Sequence, residues 1–567
     1  MAEYFSPGVY VEEYDNSPRS IEGVGTSTAG FVGMAEKGPV SGIPQLVTSF
    51  KSFRQQFGGF LSEFKYGEYR YLANSVEQFF NNGGTRCYVM RVAPQDALPA
   101  SADKGVVKFI AANPGKWGDK IQVALTTVKK VKMQLIEKTP VGYKAKKTEG
   151  FREGDVVEYN GTFHKIKAIL DDVVVFDDKM PDSAVDNGTV PKNFVYLVTF
   201  DLMVTAGDDS ETYTDMTLNN QSPAFIANRM KHSAIVKLEV KDTDKALSPV
   251  ESILGKGLTS GAFLLAGGSD GSIAKVKAGT FIGEDGGPGN RTGLQAFIEN
   301  STISMIAVPG VTDPEVVVAL VAHCENLKNR FAVIDMPGDM YKTEDLIRYR
   351  GLIDSTYAAM YHPWIQVLDR STGNAGFIPP SGAIMGVYSR TDIARGVHKA
   401  PANETIFCTG LKTNYNKDEQ DILNPEGINL IRSFPGQGIR VWGARTASSN
   451  SAFKYVNVRR LFIFVEESIK ANTNWVVFEP NDQMLWQRVA LTVSSFLDGL
   501  WRNGMLAGST ASESYFVEIG TSTMTRDDIM NGRLICNIGI APSRPAEFVI
   551  FRVTQHTAEA GGGGEEG

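Results

Sequence analysis

Two stretches of this chain set a helical pattern beside strand-like runs, and in the second the helix lies between two such runs. That pattern constrains the fold more than any other feature. Ile303 to Val308 reads as a buried strand, Pro309-Gly310 as a turn, Asp313-Pro314 as the cap and first residue of a helix, and Phe331 to Ile334 as a returning strand. Upstream, Glu68 to Phe80 is helical in pattern. Asn81-Asn82-Gly83-Gly84 supplies the stop before a strand around Cys87 to Val92. Strand–helix–strand units joined this way predict an α/β core.

Between the two units the chain changes character. Residues 96 to about 250 alternate Val, Thr, Lys and Asp over short stretches and read as β. Asp155 to Tyr159, an Asn160-Gly161 turn and Phe163 to Leu170 form a hairpin signal, followed by Asp171-Asp172 and Val173 to Phe176. Residues 129 to 200 are therefore expected to be a small all-β insertion.

The last hundred or so residues turn helical. Val458, Leu461, Phe462, Val465 and Ile469 fall on one stripe, with Arg459, Arg460, Glu466, Glu467 and Lys470 expected towards solvent and Glu466 four residues from Lys470. A longer helix is predicted after Pro480, with Leu485, Val489, Val493, Phe496 and Leu500 inward and Gly504 as its stop. Both chain ends carry short strand-like runs, Val9 to Tyr14 after Ser6-Pro7-Gly8 and Glu547 to Val553. Pro18 and the glycines from Gly23 to Gly30 separate the first from the body, and a glycine-rich tail follows the second. No internal repeat of fixed period is present.

At 567 residues the chain is expected to hold about three or four domains. A net charge of -7 disfavours a nucleic-acid partner, because phosphate binding needs a basic face. Cys87, Cys324, Cys408 and Cys536 lie far apart, so neither a metal knuckle nor a disulfide framework is expected. Met1 to Tyr10 lacks a basic flank followed by an apolar stretch, and no segment has the length of a membrane-spanning helix. The expectation is a product neither signal-secreted nor inserted in a membrane.

Catalytic constellations were sought and none emerged. The clusters Gly267-Gly268-Ser269-Asp270-Gly271 and Gly283 to Gly293 lack the Gly-Lys-Ser/Thr ending of a phosphate loop, and Gly255-Lys256-Gly257 lacks the hydroxyl and the upstream glycine. His164, His232, His323, His362, His398 and His556 never pair at metal-ligand spacing, and His323-Cys324 reads as a packed pair in a helix. The Gly-x-Ser-x-Gly match at Gly267 to Gly271 lies in a glycine cluster read as a turn or loop, so no nucleophile elbow is expected there; Ser381, after Pro379-Pro380, reads as a helix cap. No enzyme activity, cofactor or metal is expected.

Several phrases in order along nearly the whole chain resemble the contractile tail sheath family of phages and related injection machines. They are Ser6-Pro7-Gly8-Val9-Tyr10-Val11-Glu12-Glu13, Thr28-Ala29-Gly30-Phe31-Val32-Gly33, Glu36-Lys37-Gly38-Pro39 and Phe79-Phe80-Asn81-Asn82-Gly83-Gly84. Further on come Asn113-Pro114-Gly115-Lys116-Trp117-Gly118-Asp119, the Gly267 cluster, Tyr361-His362-Pro363-Trp364, Pro379-Pro380-Ser381-Gly382 and Ala400-Pro401-Ala402-Asn403. Tyr455-Val456-Asn457-Val458-Arg459-Arg460-Leu461, Phe478-Glu479-Pro480-Asn481 and Leu500-Trp501 complete the set. Residues 129 to 200 do not match the common pattern.

The resemblance implies an α/β and α+β multidomain protein: an α/β sheath core with a β-rich outer insertion, a C-terminal α+β domain and extended terminal arms. On this scheme residues 1–25 are an N-terminal linking arm, 26–95 the first part of the core, and 96–250 the outer domain with its extra insertion at about 129–200. Residues 251–450 are the central core, 451–545 an inner C-terminal domain, and 546–567 a C-terminal linking arm and flexible tail. It further implies stacked hexameric rings forming a helical tube around a tail tube protein, with baseplate and tail terminator proteins as partners, in a virion tail or phage-tail-like particle assembled in the bacterial cytoplasm. Contraction would be a rigid-body rearrangement that drives the tube through a target envelope. The expected inter-subunit residues are Val9, Tyr10, Val11, Phe548, Val549, Ile550, Phe551 and Val553, whose unpaired backbone groups suit them to join a neighbour's sheet. Glu466, Glu467 and Lys470 are the expected tube-facing charges. The alternative is a surface-binding module using residues 96–250; a hydrolase on the α/β core is a third reading, lacking a nucleophile or metal set.

Overall fold

The computed structural model describes residues 20–185, 194–241, 248–370 and 372–550. Its central sheet has nine strands, in the order Gln45–Val47, Cys87–Val92, Ala29–Met34, Met305–Ala307, Phe331–Asp335, Ala358–His362, Ile428–Phe434, Gly438–Val441 and Glu404–Thr405. The six from Cys87–Val92 to Ile428–Phe434 run parallel, and antiparallel strands extend the sheet at both edges. Alternate residues feed two separate cores. Phe31, Val89, Val333 and Tyr361 enter one, and Val32, Met90, Ile334 and Met360 enter the other. A parallel sheet covered on both faces buries both sides of each strand, which is why these strands read as continuous apolar runs.

Helices Leu72–Asn81 and Ser381–Arg395 cover the first face, and Pro314–Leu327 and Thr343–Arg350 the second. The first pair approaches closely because Gly382 and Gly386 present no side chain. A Cβ at Gly382 would lie 2.2 Å from the Ser75 carbonyl oxygen, and one at Gly386 2.5 Å from that of Phe79. The helix expected from Glu68 begins later, at Leu72, because Gly67 opens the segment with φ 51 and a 3-10 turn covers Gly67–Tyr69. Asp313 caps its helix as expected, accepting from the Glu315 N–H at 2.8 Å, with Pro314 as first residue.

Ser381 does not cap its helix; it is the first helical residue. The cap is Asp335, at the end of the neighbouring strand, which accepts from the Ser381 N–H and hydroxyl at 2.7 Å each and from the Gly310 N–H at 3.0 Å. Burial nevertheless pushes the Asp335 carboxyl up to about 6. His323 and Cys324 are buried together, and Arg330 donates to His323 Nε2 at 3.2 Å, which requires a neutral imidazole. Burial, then the Arg330 charge, lowers the imidazole to about 3. Since an unfolded chain takes up this proton near pH 6.5, the site contributes full stability above that pH and loses it progressively down to about 3. His323→Gln, which keeps an acceptor, is expected to flatten the fall in melting temperature across that window, measured by calorimetry against the parent.

Between Val92 and Met305 the chain leaves the sheet. A four-stranded antiparallel sheet (Asp209–Met216, Thr199–Ala206, Ile121–Val128, Ser260–Leu264) and a three-stranded one (Val236–Val240, Val107–Ala111, Ser101–Asp103) enclose one core around Phe109, Leu125 and Phe200. Strands between Lys132 and Leu197 form a further seven-stranded sheet with its own core of Leu135, Val157, Ile166 and Val174. Its hairpin turns at Asn160 and Gly161, both at positive φ (49 and 83), the mirror-image turn that Asn-Gly favours.

After the sheet, helices Val456–Asn472 and Gln483–Arg502 pack through Leu461, Val465, Leu485, Val489, Val493 and Leu500. A two-stranded sheet, Tyr515–Ile519 with Cys536–Ile540, completes this part. Val458, Leu461 and Val465 are buried and Ile469 is partly buried as expected, whereas Phe462 is half-buried against Phe453, and Arg459 and Arg460 are not on a solvated face. Arg460 is 3% exposed and forms a two-pronged ion pair with Asp392, Nη1 to Oδ1 at 2.9 Å and Nη2 to Oδ2 at 2.5 Å. The Arg459 guanidinium lies 3.6 Å from the Phe453 ring centroid and donates to Thr356. Lys470 pairs with Glu467 at 3.3 Å, not with Glu466.

Candidate assembly surfaces at the chain ends

Both ends of the described chain are rooted on helix Val456–Asn472. At the N-terminal side, Ile21 is buried among Leu461, Phe464 and Val465. The Val24 N–H donates to Ser468 Oγ at 3.1 Å, and Asn472 Nδ2 to the Glu22 carbonyl at 3.0 Å. Arg460, already held by Asp392, donates to the Thr26 carbonyl at 2.9 Å. At the other end of the helix, Asn457 Nδ2 donates to the carbonyls of His398 (2.7 Å) and Ser543 (3.2 Å). This 17-residue helix, about 25 Å long, carries both roots.

The C-terminal root ends at Glu547. Its carboxylate accepts from Arg445 through Nε and Nη2 at 2.7 Å each, from Asn424 Nδ2 at 2.8 Å and from Tyr455 OH at 2.9 Å. Burial opposes ionisation there, but these hydrogen bonds outweigh it and hold the carboxyl below the usual glutamate range. Immediately beyond, Phe548, Val549 and Ile550 are 72, 66 and 80% exposed. The strand expected from Glu547 does not form in the described residues 547–550, which have no sheet neighbour among the described residues. Val9, Tyr10, Val11, Phe551 and Val553 lie outside the described residues.

The helix of the charged trio faces two ways. Glu466 and Lys470 are exposed, whereas Glu467 is partly buried and lines a cleft of about 250 Å3 with Val24, Thr26, Arg86 and Phe464. The sheet Tyr515–Ile519/Cys536–Ile540 has no third strand among the described residues, and Phe516 on it is 53% exposed. In the Gly267 cluster, Asp119 takes the Gly268 N–H at 2.8 Å, and Asp270 takes that of Lys116 at 2.7 Å and pairs with Lys65. The Gly268 amide thus serves a carboxylate of the 116–119 segment, and the loop's own Asp270 serves an amide of that segment. Among the described residues no cluster of three or more His, Cys, Asp or Glu side chains is arranged to hold a metal ion, and no helix is long and apolar enough to cross a membrane.

The structure thus combines a doubly covered parallel sheet, β-rich insertions and an exposed apolar run beyond the Glu547 clamp. The phage tail sheath protein central domain family matches residues 283–447, and the phage tail sheath C-terminal domain family matches residues 448–556. The tail sheath protein of Escherichia phage P2 is 26% identical over 385 residues, covering 65% of this chain and 92% of that protein. That of Salmonella phage ViI is 26% identical over 257 residues, covering 40% of this chain and only 39% of its own length. In fold, the chain is similar to the sheath of an extracellular contractile injection system in its contracted state (TM-score 0.54, 21% identity, 98% of this chain and 99% of that one). It is likewise similar to the contracted helical sheath of the anti-feeding prophage (TM-score 0.53, 22% identity, 98% and 100%). The chain belongs to the contractile phage tail sheath family.

Proposed function

We propose that this chain is the repeating subunit of a contractile sheath, stacked as six-membered rings around a tail tube. The observation that carries this reading is the exposed run Phe548-Val549-Ile550 leaving a fixed anchor at Glu547 in a chain that also holds an uncompleted two-stranded sheet. An extended apolar segment and an open sheet edge have complementary unpaired backbone groups. Each chain end would add a strand to a neighbour's Tyr515–Ile519/Cys536–Ile540 sheet. Such head-to-tail contacts propagate as helical arrays when the rotation does not close. Whole subunits would turn while the exchanged strands stay paired. The extended array would then be a kinetic trap, with contraction releasing free energy stored at assembly and driving the tube through a target envelope. Baseplate and terminator proteins would bound the array at its two ends. Exposed Glu466 and Lys470 supply a weak, salt-sensitive contact for the tube.

Truncation after Glu547 is expected to leave the body folded and to abolish sedimentable polymer, scored by ultracentrifugal pelleting of chain with and without tube protein. Reversing Glu466 and Lys470 should change only the tube-dependent fraction, and only at low salt. Polymer that persists in the truncated chain would remove the strand-exchange account.

A further inference from the structure

The clamp around Glu547 is more elaborate than a loop end requires. Four hydrogen bonds from three side chains converge on one carboxylate, with Lys454 Nζ a further 3.9 Å away. Its base is fixed to the sheet. Arg445 donates its own N–H to Asn429 Oδ1 at 2.7 Å, its carbonyl accepts from Asn429 Nδ2 at 2.8 Å, and its Nη1 reaches the Asn424 carbonyl at 3.0 Å. Asn429 is fully buried in strand Ile428–Phe434 and also donates to the Met360 carbonyl of the adjacent strand. Tyr455 is the residue that begins helix Val456–Asn472. Upstream, the same segment is held at Ser543 by Asn457 and at Pro542 by a bridge to Leu506. Glu547 is therefore the last side-chain clamp among the described residues, joined to sheet and helix together, and three exposed apolar residues follow it directly.

We infer that Glu547 is a positioning residue which sets the direction in which the C-terminal segment leaves the body, presenting Phe548 onward already aimed at a neighbouring copy. This rests on the sheath reading above. A two-pronged arginine–carboxylate pair fixes orientation as well as position, because both oxygens are engaged in one plane. Pre-orientation lowers the ordering cost of strand addition, so its loss weakens assembly without removing any inter-subunit contact. Rotation of subunits during contraction would pull on this point, and the charged clamp is what keeps the exchanged strand tied to both halves of its own subunit.

The test uses the full chain carrying Cys408→Ser and Cys536→Ser, with a nitroxide on Val549→Cys. In the parent background the label is expected to be restricted on the monomer, and polymer to form above a threshold concentration. E547A leaves the buried Arg445 guanidinium unpaired and should lower the melting temperature, but at temperatures where the body is still folded it should free the label and raise that threshold at least tenfold. Exchanging the pair, Arg445→Glu with Glu547→Arg, should restore part of both. If E547A fails to fold, Asn424→Ala with Tyr455→Phe removes two donors and should show the same two changes in smaller measure. A freed label with an unchanged threshold, or an unchanged label, overturns the positioning role. A parent chain that forms no polymer under any condition overturns the sheath reading instead.

Discussion

Arg460→Met is expected to destabilise the protein by about 3–5 kcal/mol, the range for breaking one partner of a buried ion pair. Asp392 is buried, and removing the guanidinium leaves its carboxylate without its only cationic partner within salt-bridge distance among the described residues. Two further groups would lose a neighbour. The Thr26 carbonyl loses its donor, and the guanidinium over the Tyr388 ring, 4.8 Å from the centroid, disappears. Adding Asp392→Leu should recover most of the loss, because two apolar side chains of similar volume need no charge compensation. The double variant should also loosen residues 20–26, since the hydrogen bond that holds Thr26 is gone in both. Chemical denaturation of the two variants, with protection of the Gly25 and Thr26 amides from hydrogen exchange, measures both effects.

Gly382→Val is expected to cost at least about 3 kcal/mol, above the usual penalty for an overfilled core. The new Cβ would sit 2.2 Å from a backbone oxygen of the facing helix, and neither helix backbone can move without disturbing the sheet beneath. Gly386→Ala meets the Phe79 carbonyl oxygen at 2.5 Å and should behave similarly, though with a smaller side chain to place. By contrast, Gly161→Ala falls where nothing lies within 4 Å and acts only through its positive φ, so its cost should be far less. Urea unfolding midpoints for the three variants rank these contacts directly.

What the sequence displayed, and what it hid, follows from how far each partner lies along the chain. The strand Cys87–Val92, the Asp313-Pro314 helix start and the Asn160-Gly161 hairpin are local events, set by residues within a turn of one another, and they stand where the sequence places them. The stripe of Val458, Leu461 and Val465 is also local. Arg459 and Arg460 were misassigned to solvent because helical periodicity sorts residues by polarity alone, and the carboxylate that makes burial of Arg460 possible lies 68 positions away. Ser381 has the composition of a cap, but the better acceptor, Asp335, arrives from a strand 46 residues earlier. The Glu547 clamp is a stronger case. Its donors are 92 to 123 positions distant, so nothing near Glu547 marks it. Gly382 and Gly386, four apart in a helix of small residues, mark a close helix contact in the sequence itself. The exposed run Phe548-Val549-Ile550 is legible as apolar and strand-like, but a strand needs a partner, and the run has none among the described residues.

The central claim is that copies of this chain assemble into an open-ended array through exchanged chain ends. Negative-stain electron microscopy of the purified full-length chain addresses it most directly. Striated tubes of stacked six-membered rings are the expected result, whereas discrete particles of fixed small size at every concentration, with and without tube protein, would contradict it.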